Sequence, residues 1–401
     1  MRESCNLLIT DIRNCFTHIM VDVASFHSAV TPLQDKIVGK DGTVTAVAEL
    51  EERFAGLRFP DYAPTYNPAQ KYAPLEVYDF KDPGLLADKN LVNLFPKGLP
   101  QEETDQRASV GDQLIKFGYS VKDISPKFGS EVRGVQLSQL SDEGKNDLAR
   151  FVAERGVVVF RDQDLRELPI EQALKIASYF GRHHIHPTSG SPKDFPEVHL
   201  VYVDKKNQRV FRNQDRVSSV SWHSDVTYEK QPPGTTFLGI LELPVSGGDT
   251  AFTNTEEVYN RLSPEFQKRL EGLKAVHSAE EQAEFSRQRG GVVRREPVKS
   301  AHPIVRQHPV TKRKSLFVNP QFTRYVEGYK KEESENLLNF LYSLIGNAHE
   351  AQIRAKWEDG TVVVWDNRRT VHSALGDWDG EQKRHLFRFT PQADVPTENY
   401  D

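Results

Sequence analysis

From Ile115 onward the chain alternates short apolar runs with helical periodicities. Ser141 to Glu154 places Leu148, Phe151 and Val152 on one helical face, and the unbroken run Val157-Val158-Val159-Phe160 behind Gly156 predicts a buried strand. Further helices are predicted over Pro169 to Tyr179, near Glu256 to Leu270, and over Glu332 to Ile345. β-rich stretches recur at Val198 to Val203, Thr235 to Leu241, Ser315 to Val318, Thr361 to Trp365 and Arg384 to Phe389. Short strands parted by turn signals, without regular βαβ alternation, argue for an antiparallel barrel or sandwich, a jelly roll being one option.

Residues 1 to about 110 show little such periodicity. Phe59 to Pro100 is dense in Pro, Tyr, Asp and Lys, which predicts an extended, irregular arm whose tyrosines and leucines pack on the body formed by residues 111–401. The polar run around Gln101 to Arg107 ends it. Composition narrows the classes. With 401 residues, 37% hydrophobic and 27% charged, and a net charge of -5, the chain can build a sizeable core and lacks the cationic excess of a dedicated nucleic-acid binder. Any anionic ligand must be held by local charges. Cys5 and Cys15 sit too near the start to staple the fold or cage a metal. No run of ~18 apolar residues offers a membrane span, and a reducing cytoplasmic location is the default expectation. The first thirty residues have a mixed apolar and charged character, and Glu3 and Asp11 weaken their reading as a leader. A homo-oligomer stays open.

The most informative stretch is Ser221-Trp222-His223-Ser224-Asp225-Val226-Thr227-Tyr228. If it is extended, the two-residue period puts His223 and Asp225 on one face, where an imidazole nitrogen and a carboxylate oxygen can converge on one ion. Among 13 histidines such a triplet also arises as a hydrogen-bonded surface pair, so a third ligand must come from elsewhere. His372, beyond the apolar stretch Thr361 to Trp365, is the candidate. Two histidines and one carboxylate are the facial set of non-haem Fe(II) oxygenases, which leaves positions open for a chelating cosubstrate and O₂. Taken alone, His372 reads equally as a satisfied structural residue. In Gln382 to Phe389, strand alternation puts Arg384, Leu386 and Arg388 on one face. If that face is interior, each guanidinium demands an anion, and Arg suits bidentate carboxylate, sulfonate or phosphate binding. On an edge strand the same pattern is a solvent-facing cationic stripe.

In chain order, His223-Ser224-Asp225-Val226-Thr227, Gly247-Gly248-Asp249-Thr250, Trp365-Asp366-Asn367-Arg368 with His372, and Arg384 with Arg388 closely resemble the taurine dioxygenase family of Fe(II)- and 2-oxoglutarate-dependent dioxygenases. The likeness runs from about Ser120 to Thr390 and includes Phe180-Gly181, His184-Ile185-His186-Pro187 and Leu316-Phe317-Val318-Asn319. The arm and Gln231-Pro232-Pro233-Gly234-Thr235-Thr236 resemble its fungal sulfonate dioxygenase branch. The resemblance implies a mainly β, α+β architecture with a double-stranded β-helix (jelly roll) core and flanking helices. It implies His223, Asp225 and His372 as iron ligands, and Arg384 with Thr250 on the distal carboxylate of 2-oxoglutarate. It further implies Arg388 and His186 at the substrate's anionic group and Phe322 as a pocket wall, with Fe(II), 2-oxoglutarate and O₂ as reagents. A dicarboxylate that chelates iron through its keto-acid end needs a fixed cation at the other end, which Arg384 can supply while a threonine hydroxyl adds a bond. Gly247-Gly248 is read as a turn, Trp222 and Trp365 as core, and His183 and His184 as structural neighbours of His186.

The implied reaction hydroxylates the carbon next to a sulfonate, so that the product collapses to an aldehyde and sulfite while 2-oxoglutarate yields succinate and CO₂; sulfur scavenging is the implied use. Ser189 stands where the bacterial taurine enzymes carry a tyrosine, and Ser218-Ser219-Val220 where they carry an Asn, which puts taurine itself in doubt. An alkyl sulfate, an aryloxyacetate or a purine would suit the same chemistry. His, Asp and His also suit a zinc hydrolase, which has no need of the Arg384 and Thr250 clamp; the intact ligand set disfavours a non-catalytic barrel.

Overall fold

The computed structural model describes residues 53–67, 69–100, 109–206, 217–288, 291–379 and 381–400. Cys5, Cys15, the first thirty residues and the polar run at 101–107 lie outside the described residues. The body begins with α1 (Val110–Phe117), capped by Ser109, and the antiparallel hairpin of β1 (Ser120–Ser125) and β2 (Phe128–Arg133). Helix α2 (Asp142–Arg155) starts where the Ser141 hydroxyl accepts the Gly144 N–H. It stops at Gly156, whose φ is 75° and where a Cβ would lie 2.5 Å from the Phe128 ring, so only glycine fits. The valine run then forms β3 (Val157–Phe160), buried throughout. Next come α3 (Ile170–Ser178), β4 (His199–Val203), β5 (Thr235–Glu242) and β6 (Thr250–Asn254).

The helix expected near Glu256 to Leu270 is in fact two. Asn254 caps α4 (Thr255–Asn260), and Ser263 with Pro264 restarts the chain as α5 (Pro264–Leu270). Short strands follow: β7 (Lys274–Ser278), then α6 (Glu280–Gln288), β8 (Lys299–Pro303), β9 (Val305–Gln307), β10 (Lys314–Leu316) and β11 (Thr323–Val326). The long helix α7 (Lys331–Asn347) leads to β12 (Gln352–Ala355), β13 (Val362–Asp366), β14 (Thr370–Ala374) and β15 (Arg384–Phe389).

Two of the sheets position the site. A seven-stranded sheet runs β1-β2-β3-β13-β5-β15-β4, and a three-stranded one runs β12-β6-β14. They face each other: Leu238, Ile240, Val363, Trp365 and Leu386 of the first pack against Phe252, Ile353 and Ala355 of the second. Each such buried Leu, Ile, Val or Phe side chain stabilises the fold by about 1.5–3 kcal/mol. The other face of the large sheet, with Val158, Phe160, Phe237, Phe387 and Phe389, packs on α2, α3 and the arm residues Tyr62, Leu91, Leu94 and Phe95. Gly239 makes this possible at one point, because a Cβ there would lie 2.1 Å from the Phe387 ring. The architecture is mainly β with flanking helices. The arm is tied down by hydrogen bonds as well: Tyr78 and Gln231 exchange two, the Tyr78 hydroxyl donates to Gln392 O at 2.6 Å, and Asp82 pairs with the buried Arg368.

Candidate metal centre and its cations

His372 sits on β14, and its backbone pairs with that of His223 as an isolated antiparallel bridge. Asp225 is placed differently from the extended geometry expected of the His-Ser-Asp triplet. The chain turns at Asp225, with Val226 at φ 40°, so strand alternation is not what brings the carboxylate round. Asn367 does that work: its Oδ1 accepts the Asp225 N–H at 2.7 Å, and its Nδ2 donates to Asp225 O at 3.1 Å and to Pro233 O at 3.3 Å. The Ser224 hydroxyl fixes the same turn by donating to Thr370 O at 2.8 Å.

His223 Nε2 and His372 Nε2 each lie 3.7 Å from Asp225 Oδ1, and the three groups offer ligand atoms within 4.8 Å of one another. Among the described residues no other group of three or more His, Cys, Asp or Glu converges in this way. His223 Nδ1 bonds Ser221 O at 2.9 Å, which places the proton there and leaves Nε2 bare. Asp225 Oδ2 is buried without a protein partner. Burial drives the His372 imidazole well below its usual range, with His223 and Arg388 adding to the effect; burial likewise lowers His223 against the pull of Asp225. Both rings are therefore neutral at pH 7. Two bare imidazole nitrogens and a carboxylate oxygen are three donors of the kind that hold a divalent cation.

Two buried cations, Arg384 and Arg388, lie on the inward face of β15 as the alternation predicts, and Arg388 reaches Asp225 of this set. Arg384 donates through Nε to Gly248 O at 2.8 Å and through Nη2 to Thr250 Oγ1 at 3.4 Å. Gly247 and Gly248 both take positive φ, 77° and 69°, directly after the bend at 245–246, and a Cβ on Gly248 would crowd the Arg384 side chain at 3.2 Å. Burial lowers the Arg384 guanidinium to about 10, so it stays charged at neutral pH. Arg388 donates through Nη1 to Asp225 Oδ1 at 2.8 Å, and through Nε and Nη2 to His199 Nδ1.

His186 accepts the Thr188 and Ser189 N–H groups on Nδ1, at 3.3 and 3.1 Å, and its ring lies 4.4 Å from that of His199. Phe322 lies edge-on to His223, with ring centroids 6.2 Å apart. Trp365 is core, packed on Phe252 and His372. His183 bonds Leu174 O, and His184 joins Glu229 and Arg295 in a buried cluster. Burial opposes ionisation of Glu229, yet His184 and Arg295 together hold its carboxyl at about 2. Of the residues singled out from sequence, His223, Asp225 and His372 converge, Arg388 pairs with Asp225, Phe322 packs on His223, and Arg384 pairs separately with Gly248 and Thr250. His199, Glu229 and Arg295 were missed. His199 reads as one polar residue in an apolar strand; only its pairing opposite Arg388, 189 residues away, reveals what it touches.

Residues 120–390 match the family described as "Taurine catabolism dioxygenase TauD, TfdA family". The chain is 47% identical over 345 residues to the alpha-ketoglutarate-dependent sulfonate dioxygenase of Saccharomyces cerevisiae, which spans 85% of this chain and 79% of that protein. It is 41% identical over 346 residues to the alpha-ketoglutarate-dependent dioxygenase cnsM of Penicillium expansum, spanning 85% and 91%. A crystal structure of a taurine dioxygenase from Burkholderia xenovorans matches with a TM-score of 0.56 at 31% identity, covering 70% of this chain and 93% of that one. On the strength of that match and of these relatives, the chain belongs to the TauD/TfdA family and is an alpha-ketoglutarate-dependent dioxygenase.

Proposed function

We propose that the protein uses Fe(II), 2-oxoglutarate and O₂ to oxidise a small organic sulfonate at the carbon bearing sulfur, giving an aldehyde, sulfite, succinate and CO₂. We read its two facing sheets as a double-stranded β-helix, residues 111–401 as the catalytic domain with the arm packed on it, and the cytoplasm as its setting. Among the described residues no helix is long and apolar enough to cross a membrane. The observation that carries the reading is the convergence of His223, Asp225 and His372, with Arg388 paired to Asp225 and Arg384 buried on the same strand. Iron held by that triad would supply O₂ activation and oxidation of the substrate carbon.

The chain's own contribution is positional. Arg384, with the Thr250 hydroxyl, holds the distal carboxylate of 2-oxoglutarate by charge-assisted hydrogen bonds. Arg388, with His186 nearby, receives the sulfonate and thereby aims the adjacent carbon at the centre. Phe322, against His223, closes one side to water. Asn367 fixes the Asp225 backbone in the turn that presents its carboxylate.

The test is an aerobic assay of iron-loaded protein with 2-oxoglutarate and ascorbate over a panel of sulfonates, alkyl sulfates and aryloxyacetates. Succinate with equimolar sulfite from a sulfonate is the expected result. Succinate that rises only with another class would move the substrate, and none from any compound would sink the reading.

A further inference from the structure

Arg388 and His199 are direct register partners across the β15–β4 pair, and β4 is the edge of the seven-stranded sheet. Residues so placed project to the same face at the closest cross-strand spacing. His199 is 2% exposed, and its Nδ1 accepts from both Arg388 Nε, at 3.2 Å, and Arg388 Nη2. One edge of the guanidinium fork is therefore taken up by a single acceptor, and Nη1 is left pointing at Asp225 Oδ1. Behind His199, the His186 ring is tilted 40° against it at 4.4 Å, and His186 is itself held by the Thr188 and Ser189 amides. A continuous line of contacts runs from those amides through His186 and His199 to Arg388.

We infer that His199 is a positioning residue: it locks the Arg388 guanidinium so that the N–H groups taken by neither His199 nor Asp225 face the substrate's anionic group. The inference rests on the assignment of Arg388 to that anion. The choice of imidazole is physically specific. Arg388 already pairs with the Asp225 carboxylate, so a second carboxylate in place of His199 would leave its charge outweighed, whereas a neutral acceptor fixes it without adding to that pairing. Burial, with Arg388 and His186 close by, keeps the His199 ring neutral, so it accepts without quenching. A leucine of similar bulk would fill the space and leave Arg388 free to swing or to lie fully against Asp225.

The experiment compares His199→Leu, His199→Asn and His199→Asp with Arg388→Ala, measuring KM for the best sulfonate and for 2-oxoglutarate separately. Leu is expected to raise the sulfonate KM by about tenfold, the worth of one charge-assisted hydrogen bond, and to leave the 2-oxoglutarate KM within about twofold. Asn presents a neutral oxygen in place of Nδ1 and should recover most of that loss, whereas Asp, with the same bulk and a negative charge, should not. Equal impairment by Leu and Asn, or a parallel rise in both KM values, would reduce His199 to packing and overturn the inference. If Arg388→Ala raises the sulfonate KM while His199→Leu does not, the inference alone fails. If Arg388→Ala has no effect, the assignment of Arg388 fails and the inference falls with it.

Discussion

His223 and His372 exchange both of their backbone hydrogen bonds, His223 N–H to His372 O at 3.0 Å and His372 N–H to His223 O at 2.7 Å. Such a pair has its Cα atoms about 5.5 Å apart, so the spacing of the two imidazoles is set by the backbone before any metal arrives. His372→Ala should therefore fold, with a metal-free melting temperature only a few degrees below that of the parent. What it should lose is the rise on adding metal, since a ligand at 100 times its Kd adds about 2.7 kcal/mol to the parent. Anaerobic thermal melts with and without Fe(II) check this, and a variant that keeps the rise would remove His372 from the ligand set.

Asn367 grips the Asp225 backbone from both sides. Asn367→Ala should weaken metal binding by roughly 10- to 100-fold, the usual cost of losing a supporting contact behind a ligand. Asn367→Asp keeps an acceptor for the Asp225 N–H but cannot donate to Asp225 O or Pro233 O, and should fall between. Competition against a metal indicator gives the order; equal affinities across the three proteins would contradict it.

Arg384 and Thr250 are expected to act on the cosubstrate alone. Losing a hydrogen bond to a charged group costs about 1.5–3 kcal/mol, so Arg384→Gln should raise the 2-oxoglutarate KM by at least tenfold and Thr250→Val by less. The sulfonate KM should stay close to that of the parent. A matching rise in both would place the clamp elsewhere.

Acid should unfold the metal-free protein through its buried histidines. Burial lowers His302 to about 4 and His385 to about 3 in the folded state, against about 6.5 unfolded. The unfolded chain then binds more protons below pH 6.5, so stability is fully present above 6.5 and lost as the pH falls toward 4 and 3. Each contributes a loss of about 2 kcal/mol by pH 5. His184, His277 and His308 are lowered by burial too and act in the same direction. Melting temperatures that stay level from pH 7 to pH 5 would refute this.

The parts of the fold that could be read from the chain are those with an uninterrupted local pattern. The valine run of β3, the helix after Ser141 and the alternation of β15 each carry their answer in consecutive residues. Glu256 to Leu270 kept a helical character, and the break lay in Ser263-Pro264, a start signal that also ends the preceding helix. Asp225 was picked out as a candidate on an extended geometry that the structure replaces with a turn, because the restraint on it comes from Asn367, 142 residues away. His199 had no local signal at all. Its chemistry exists only once β4 and β15 are in register, and register is a property of the assembled sheet.

Arg368 gathers Asp82, Asp366 and Asp394, joining the arm, the end of β13 and the C-terminal segment; Arg368 and Asp82 stand 286 residues apart. In kinetic terms this closure is the costly kind, because chain entropy is lost over the whole span before the contact returns anything. During synthesis the arm emerges long before the residues it must meet, and Tyr62, Leu91 and Phe95 stay uncovered until the sheet beneath them is complete. Asn367, which holds the Asp225 backbone, lies between Asp366 and Arg368 of this late junction, so the arm and the C-terminal segment close directly on the residues that flank the ligand turn.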